Sequence, residues 1–130
     1  MIELRLPVNP VPCPRPRMTR AGRIYYPRTY NKFKREVATV LPGCLFDAGL
    51  HRKLEGPLLV KVALLVQRPK QTKLSYPMPD IDNYCKSVLD ALNGYAWTDD
   101  TQVVELEATK SWNDPGEPGE IQIIIEALHA

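Results

Sequence analysis

Two carboxylates, Asp80 and Asp82, stand two residues apart at the start of a helical pattern, with Asn83 beside them and Lys86 one turn on. A second acidic pair, Asp99 and Asp100, follows Trp97-Thr98 beyond the end of that pattern. Carboxylates brought together repel one another unless a cation sits between them. Oxygen-only donors suit a hard ion such as magnesium, which takes a small number of carboxylates together with waters and substrate phosphate. These residue types therefore point to metal-dependent phosphodiester chemistry, which raises the question whether the rest of the chain would hold a nucleic acid.

Each residue also has a plainer reading. Asp is a preferred N-cap and is favoured in a first helical turn by the macrodipole, but one Asp would satisfy that need. Lys86 lies four residues after Asp82, so an exposed salt bridge is its simplest use. An Asp-Asp pair is also ordinary turn chemistry. Asp90, four residues past Lys86, reads as structural support, buried or paired. The conjunction is what favours a site. A strand laid beside the helix would bring Asp100 back to the helix N-terminus and close a three-carboxylate cluster.

The elements that must position these groups follow from periodicity. Ile2 to Leu6 alternates apolar and charged residues and reads as an opening strand. Pro7 to Pro16 holds five prolines, which impose an extended, PPII-like path. Arg15, Arg17, Arg20, Arg23 and Arg28 lie on or just after it, interleaved with Tyr25 and Tyr26, and Gly22 marks the turn of a small hairpin. Thr29 is the expected N-cap of a helix over Tyr30 to Leu41, with Tyr30, Phe33, Val37, Val40 and Leu41 on one face. Pro42-Gly43 is read as its end or a bend, with Cys44 to Leu50 open to continue as a second helical piece. Pro57 to Gln67 is a central strand by its β-branched and apolar content.

Asp82 to Asn93 is the second helix, with Tyr84, Cys85, Val88, Leu89 and Leu92 as its buried stripe and Asn93-Gly94 as its stop. Gln102 to Trp112 alternates as a strand, placing Val104, Leu106 and Ala108 on one side and Val103, Glu105 and Glu107 on the other. Glu120 to Leu128 is the last strand, with Ile121, Ile123 and Ile125 opposed to Gln122, Ile124 and Glu126. The predicted order is strand, helix, strand, helix, strand, strand in one domain over residues 1–130, with no repeat or linker.

The charge layout suits a polyanionic partner. Residues 1–73 carry 15 Lys and Arg against 4 Asp and Glu, a balance of +11, and residues 74–130 carry 2 against 11, a balance of −9, which together give the net +2. Lys and Arg supply most non-specific affinity for a phosphate backbone, through counterion release. The competing explanation is that the halves neutralise each other across the fold. A hydrophobic content of 44% over 130 residues is enough to build one core without staples. Cys13, Cys44 and Cys85 are odd in number and show no Cys-x-x-Cys spacing. With only His51 and His129 to assist, a structural zinc site is not expected, and a reduced, cytoplasmic compartment fits best. The first residues lack the pattern of a signal peptide. The longest apolar run, near Leu58 to Val66, is interrupted by Lys61 and too short to span a bilayer.

The ordered set of residues resembles a known family. The segment DIDNYCKSVLDALNGYAWTDDTQVVELEATK is similar to the signature of the RusA family of Holliday-junction resolvases: an Asp-x-Asp-Asn, a lysine one turn on, an Asp-Ala-Leu helix end, then Asp-Asp and Gln-Val-Val. The upstream stretch PVPCPRPRMTRAGRIYYPRTYNKFKREV resembles that family's proline- and arginine-rich segment and its helix start. The likeness covers nearly the whole chain, and residues 79–104 are its specific part.

The resemblance implies a small α+β fold with a mixed sheet packed against two helices, a homodimer, and magnesium-dependent cleavage of four-way DNA junctions in recombination and repair. It places the metal-binding and catalytic carboxylates on Asp80, Asp82 and Asp100, and the essential lysine on Lys86. Asp99 matches a position whose role is open. Arg15, Arg17, Arg20, Arg23 and Arg28 are the expected DNA-binding residues. Three other readings remain at this point: a nuclease of flaps or forks, a non-catalytic DNA-binding protein, and a purely structural protein.

Overall fold

The computed structural model describes residues 1–128, so His129 lies outside the described residues. Its main sheet has four strands, β1 (Ile2–Leu6), β4 (Leu58–Val66), β5 (Val103–Trp112) and β6 (Glu120–Ala127), in the spatial order β1-β6-β4-β5. β6 pairs antiparallel with both β1 and β4, whereas β4 and β5 run parallel. A separate two-stranded ribbon is made by β2 (Arg17–Met18) and β3 (Ile24–Tyr25). The helices are α1 (Arg28–Asp47) and α2 (Ile81–Leu92). This is the small α+β arrangement with a mixed sheet and two helices that the sequence suggests, with the hairpin added between the first strand and the first helix. Among the described residues, no helix is long and apolar enough to cross a membrane.

The register explains the core. Leu4, Ile123, Val62 and Ala108 stand side by side across the four strands, and Leu6, Ile121, Leu64 and Lys110 form the next row. Alternate residues share a sheet face, so the apolar members of these rows meet the helices. Leu6, Leu64, Ile121 and Ile123 are buried there with Phe33, Val37 and Leu41 of α1 and Val88 and Leu92 of α2. Ile121, Ile123 and Ile125 point inward as the alternation predicts. The opposite face carries Lys61, Glu107, Gln122 and Ile124. β5 is the exception to a well-covered sheet. Its apolar side lies beside α2 but leaves Val104 and Leu106 exposed.

Two helix boundaries differ from expectation. Thr29 is not the N-cap of α1; Pro27 is, and Thr29 lies inside the first turn. Proline presets its own φ and holds an extended ψ here, and its carbonyl accepts from the N–H groups of Tyr30 and Asn31. The helix also does not stop at Pro42 but runs on to Asp47. An interior proline costs about 3 kcal/mol. Leu41 and Leu45, four residues apart across it, are both buried, and their shared face offsets that cost. α2 ends where Gly94 adopts a φ of 83°, the left-handed conformation that glycine tolerates.

The turn between α2 and β5 is held by one side chain. Gln102 Oε1 accepts from the backbone N–H of Thr98 at 2.9 Å and of Asp99 at 3.1 Å. Its Nε2 donates to the carbonyls of Leu54 at 2.9 Å and Gly56 at 3.0 Å. Gln102→Ala leaves these four backbone groups to water or to nothing. It should cost about 2 kcal/mol of stability, at roughly 0.5–1.5 kcal/mol per hydrogen bond less what solvent recovers. The denaturation midpoint in urea checks this, and a shift equivalent to under about 0.5 kcal/mol would show that the clamp is incidental.

Candidate active site

α2 forms because Tyr84, Cys85, Val88 and Leu92 bury one stripe, and Ser87 within that stripe satisfies its hydroxyl by donating to the Tyr84 carbonyl at 2.8 Å. The outward side of the helix lines a groove of about 510 Å³ against β5. Asp82, Lys86 and Asp90 occupy successive turns along it, Asp100 closes it, and Leu106 and Ala108 form its apolar floor. Asp80 sits at the N-cap of α2, next to the Ile81–Asp82 end of the groove, and its side chain makes no capping hydrogen bond. Asp82 Oδ1 accepts only from the neighbouring Asn83 N–H, at 2.9 Å. Both carboxylates thus keep most of their lone pairs available, beside a helix N-terminus that favours negative charge.

Lys86 extends toward Asp90, with Nζ 3.4 Å from Oδ2, so its ion-pair partner is one turn ahead rather than Asp82 one turn behind. Asp90 is paired, as its spacing suggested. Its carboxylate is the main cause of a raised Lys86 pKa, opposed by slight desolvation, with smaller contributions from Cys13 and Tyr26. Lys86 therefore carries its charge throughout the neutral range. The pair is exposed enough that it contributes little to stability.

Asp100 is held differently. The fully buried Trp97 donates from Nε1 to Asp100 Oδ1 at 2.7 Å. Burial pushes the Asp100 pKa up. The Trp97 hydrogen bond works against that rise, Asp90 and Asp99 add to it, and Lys86 lowers it. A partly desolvated carboxylate among other carboxylates lacks compensating positive charge, and a bound cation would supply it. Asp99 has a local role: it N-caps the 3-10 turn at Asp100–Gln102 and forms a capping box with Gln102.

The topology spreads the carboxylates along the groove. Because β4 and β5 are parallel, the connection through α2 must run back along the sheet before β5 begins. Asp80 and Asp82 therefore lie at one end of α2 and Asp100 just beyond the other. The strand does lie beside the helix, but its direction does not return Asp100 to the helix N-terminus. Among the described residues, no three His, Cys, Asp or Glu side chains form an ion-sized group. The donors fit a hard divalent cation by chemistry, as oxygen ligands acting in ones and twos with water and phosphate.

β5 also anchors the loop before α2. Lys110 Nζ donates to the Pro79 carbonyl at 2.8 Å and lies 5.6 Å from the Tyr76 ring centroid, and Trp112 Nε1 donates to the Leu74 carbonyl at 2.9 Å. Neither role was visible in the sequence, where Lys110 and Trp112 were simply members of a strand. On the other flank, the Cys13 N–H donates to the Asn83 carbonyl at 2.9 Å, which ties the proline segment to the first turn of α2. Arg15, Arg17, Arg20, Arg23 and Arg28 are all exposed, and none takes part in the ion pairs found among the described residues. The hairpin that Gly22 signalled is present, with Gly22 at φ 83°.

The chain is 31% identical over 142 aligned positions to the uncharacterized protein YqaN of Bacillus subtilis strain 168, covering 94% of this chain and 93% of that relative. The family model described as "Endodeoxyribonuclease RusA" matches residues 7–126, which include the hairpin, α2, the Asp99–Asp100 turn and most of β6. The chain belongs to the RusA endodeoxyribonuclease family.

Proposed function

We propose that this protein is a magnesium-dependent endonuclease that resolves four-way DNA junctions by paired phosphodiester hydrolysis, acting as a two-fold dimer. The observation that carries the reading is the groove along α2. It lines up the carboxylates of Asp82, Asp90 and Asp100 with one charged lysine, along the helix to which the proline segment before the arginine-bearing hairpin is tied. A two-fold dimer would offer two such grooves to a junction of matching symmetry.

Asp80 and Asp82 at one end of α2, and Asp100 beyond the other, would hold a hard cation in ones and twos with water and phosphate, not as one three-carboxylate shell within the chain. When bound, magnesium polarises the scissile phosphate and lowers the pKa of an attacking water. The chain's own residues prepare the site for it. Trp97 fixes the Asp100 carboxylate in one orientation. Lys110 fixes the backbone just before Asp80. Lys86, held charged by Asp90, is available to stabilise the negative charge that builds on the phosphate oxygens. The arginines of the hairpin bind phosphates away from the reacting bond and set the position of the DNA.

Three outcomes test this reading. Asp80→Asn, Asp82→Asn and Asp100→Asn each remove a charged donor at nearly constant shape. Junction cleavage in magnesium should fall at least roughly a hundred-fold in each, because several kcal/mol of metal-borne stabilisation is lost. Junction binding should hold or tighten as repulsion of phosphate is relieved. Parent-like cleavage by all three would refute the metal site, and parent-like cleavage in EDTA would refute metal dependence altogether. A panel of four-way junction, flap, fork and plain duplex in the same assay ranks the substrates, and a preference for flaps or forks would replace the junction assignment.

Lys86→Ala should lower turnover by roughly a hundred-fold, the scale for removing one preorganised donor to a developing oxyanion. Its junction affinity should change little, since one phosphate contact is a small share of the total. Turnover at the parent level would reduce Lys86 to a surface partner of Asp90. Replacing Arg15, Arg17 and Arg20 together by Ala should weaken junction binding and flatten its salt dependence by about one log–log unit per lost phosphate contact. An unchanged affinity and slope in a folded triple variant would remove the arm from the DNA interface.

A further inference from the structure

The β2–β3 ribbon has two faces of different chemistry. Its register pairs Arg17 with Tyr25 and Met18 with Ile24, and alternate side chains on a strand point to opposite sides. One side therefore presents a guanidinium and a phenol ring. The other presents two aliphatic side chains, Met18 at 68% exposure and Ile24 at 64%. Side by side on one face, they form a small exposed apolar patch. Residues 4–35 contain nine Lys and Arg and no Asp or Glu, a charge that suits an anionic partner.

We propose that Met18 and Ile24 are a wedge that inserts into the base stack at the branch point of the DNA, while Arg17 on the other face holds a phosphate. The proposal rests on the reading of this chain as a nuclease of branched DNA. A two-stranded ribbon is narrow enough to enter a groove, and aliphatic side chains are what architectural proteins push between base steps. Unstacking costs least where the stack is already interrupted. A wedge of this kind therefore prefers a branch point to continuous duplex, which phosphate contacts alone cannot distinguish.

The ribbon is also placed for this role. The proline segment that leads into it is tied to α2 through Cys13 and Asn83, and its trailing strand leads into Tyr26. Tyr26 packs its ring 5.4 Å from that of Tyr30 and accepts at its carbonyl from Asn31 Nδ2 at 3.2 Å. The segment before the ribbon is thus anchored to α2 and the segment after it to α1, with exposed residues between them.

The test uses the full chain and a synthetic four-way junction carrying 2-aminopurine at the branch point, in EDTA so that nothing is cut. Parent protein should raise the fluorescence as the base unstacks. Met18→Thr combined with Ile24→Thr keeps β-formers in the ribbon and both arginine flanks. It should lose at least half of that rise at saturating protein. Its preference for junction over duplex should fall roughly ten-fold, the scale of one lost stacking contact. Its affinity for plain duplex and the salt slope should stay as in the parent. Met18→Leu combined with Ile24→Val should restore the signal.

A Thr variant with the parent's fluorescence rise and junction preference would overturn the wedge and leave the nuclease reading standing. Parent protein that binds no branched DNA would overturn both. A Thr variant whose sedimentation mass drops without DNA would assign the apolar face to contact between copies of this chain, and would equally overturn the wedge.

Discussion

The parallel pairing of β4 with β5, in a sheet otherwise built from antiparallel neighbours, is the constraint on which the site depends. Adjacent parallel strands cannot be joined by a tight turn, so the chain must travel back along the sheet before β5 can start. α2 is that return path. It needs an apolar stripe to lie on the sheet, and Tyr84, Val88 and Leu92 provide one. Its other side is left facing the exposed edge strand β5, and the space between them is the groove. A helix joined by a tight turn to an antiparallel neighbour would have left no such trough.

The same constraint makes the Trp97–Gln102 turn decisive. The residues that leave α2 must reverse and enter β5 within a few positions, and Asp100 is carried on that reversal. Gln102 satisfies backbone groups on both sides of the turn, and Asp99 caps it. Trp97, buried without exposure, fixes the Asp100 oxygen by its indole N–H. Burial at this position raises the Asp100 pKa, and the Trp97 hydrogen bond that fixes the carboxylate offsets part of that rise.

Much of this was legible in the residues, for identifiable reasons. β4, β6 and α2 have strong periodicity and ends marked by Gly or Pro, and they fall within a residue or so of where the pattern puts them. The hairpin was marked by Gly22. Thr29 misled because hydroxyl residues so often cap helices, whereas Pro27 started this one two residues earlier. Pro42 misled because local propensity says nothing of Leu41 and Leu45 being buried together on either side of it. The strand direction of β5 was not legible at all: alternation fixes which residues share a face, not whether the neighbour runs parallel. That is why Asp100 was expected at the wrong end of α2, and why Lys110 and Trp112 could not be linked to the loop before it.

The charge asymmetry acquires a physical meaning in the folded chain. Had the halves existed to neutralise each other, the arginines of residues 15–28 would be paired with acids from beyond residue 74. Of the ion pairs found among the described residues, only Lys61–Glu107 joins the two halves, and it lies on the helix-free face of the sheet. Lys32–Glu36 and Lys86–Asp90 are pairs within single helices. The basic ribbon and the acidic groove therefore stay separately charged, although the segment leading into the ribbon is tied to the first turn of α2 through Cys13 and Asn83. An acidic groove by itself repels a phosphate backbone. A basic ribbon by itself binds one without changing it. On the proposed reading, phosphates held by the ribbon would bring a neighbouring phosphate to carboxylates that otherwise exclude it, and the groove would accept it once a cation had lowered its charge.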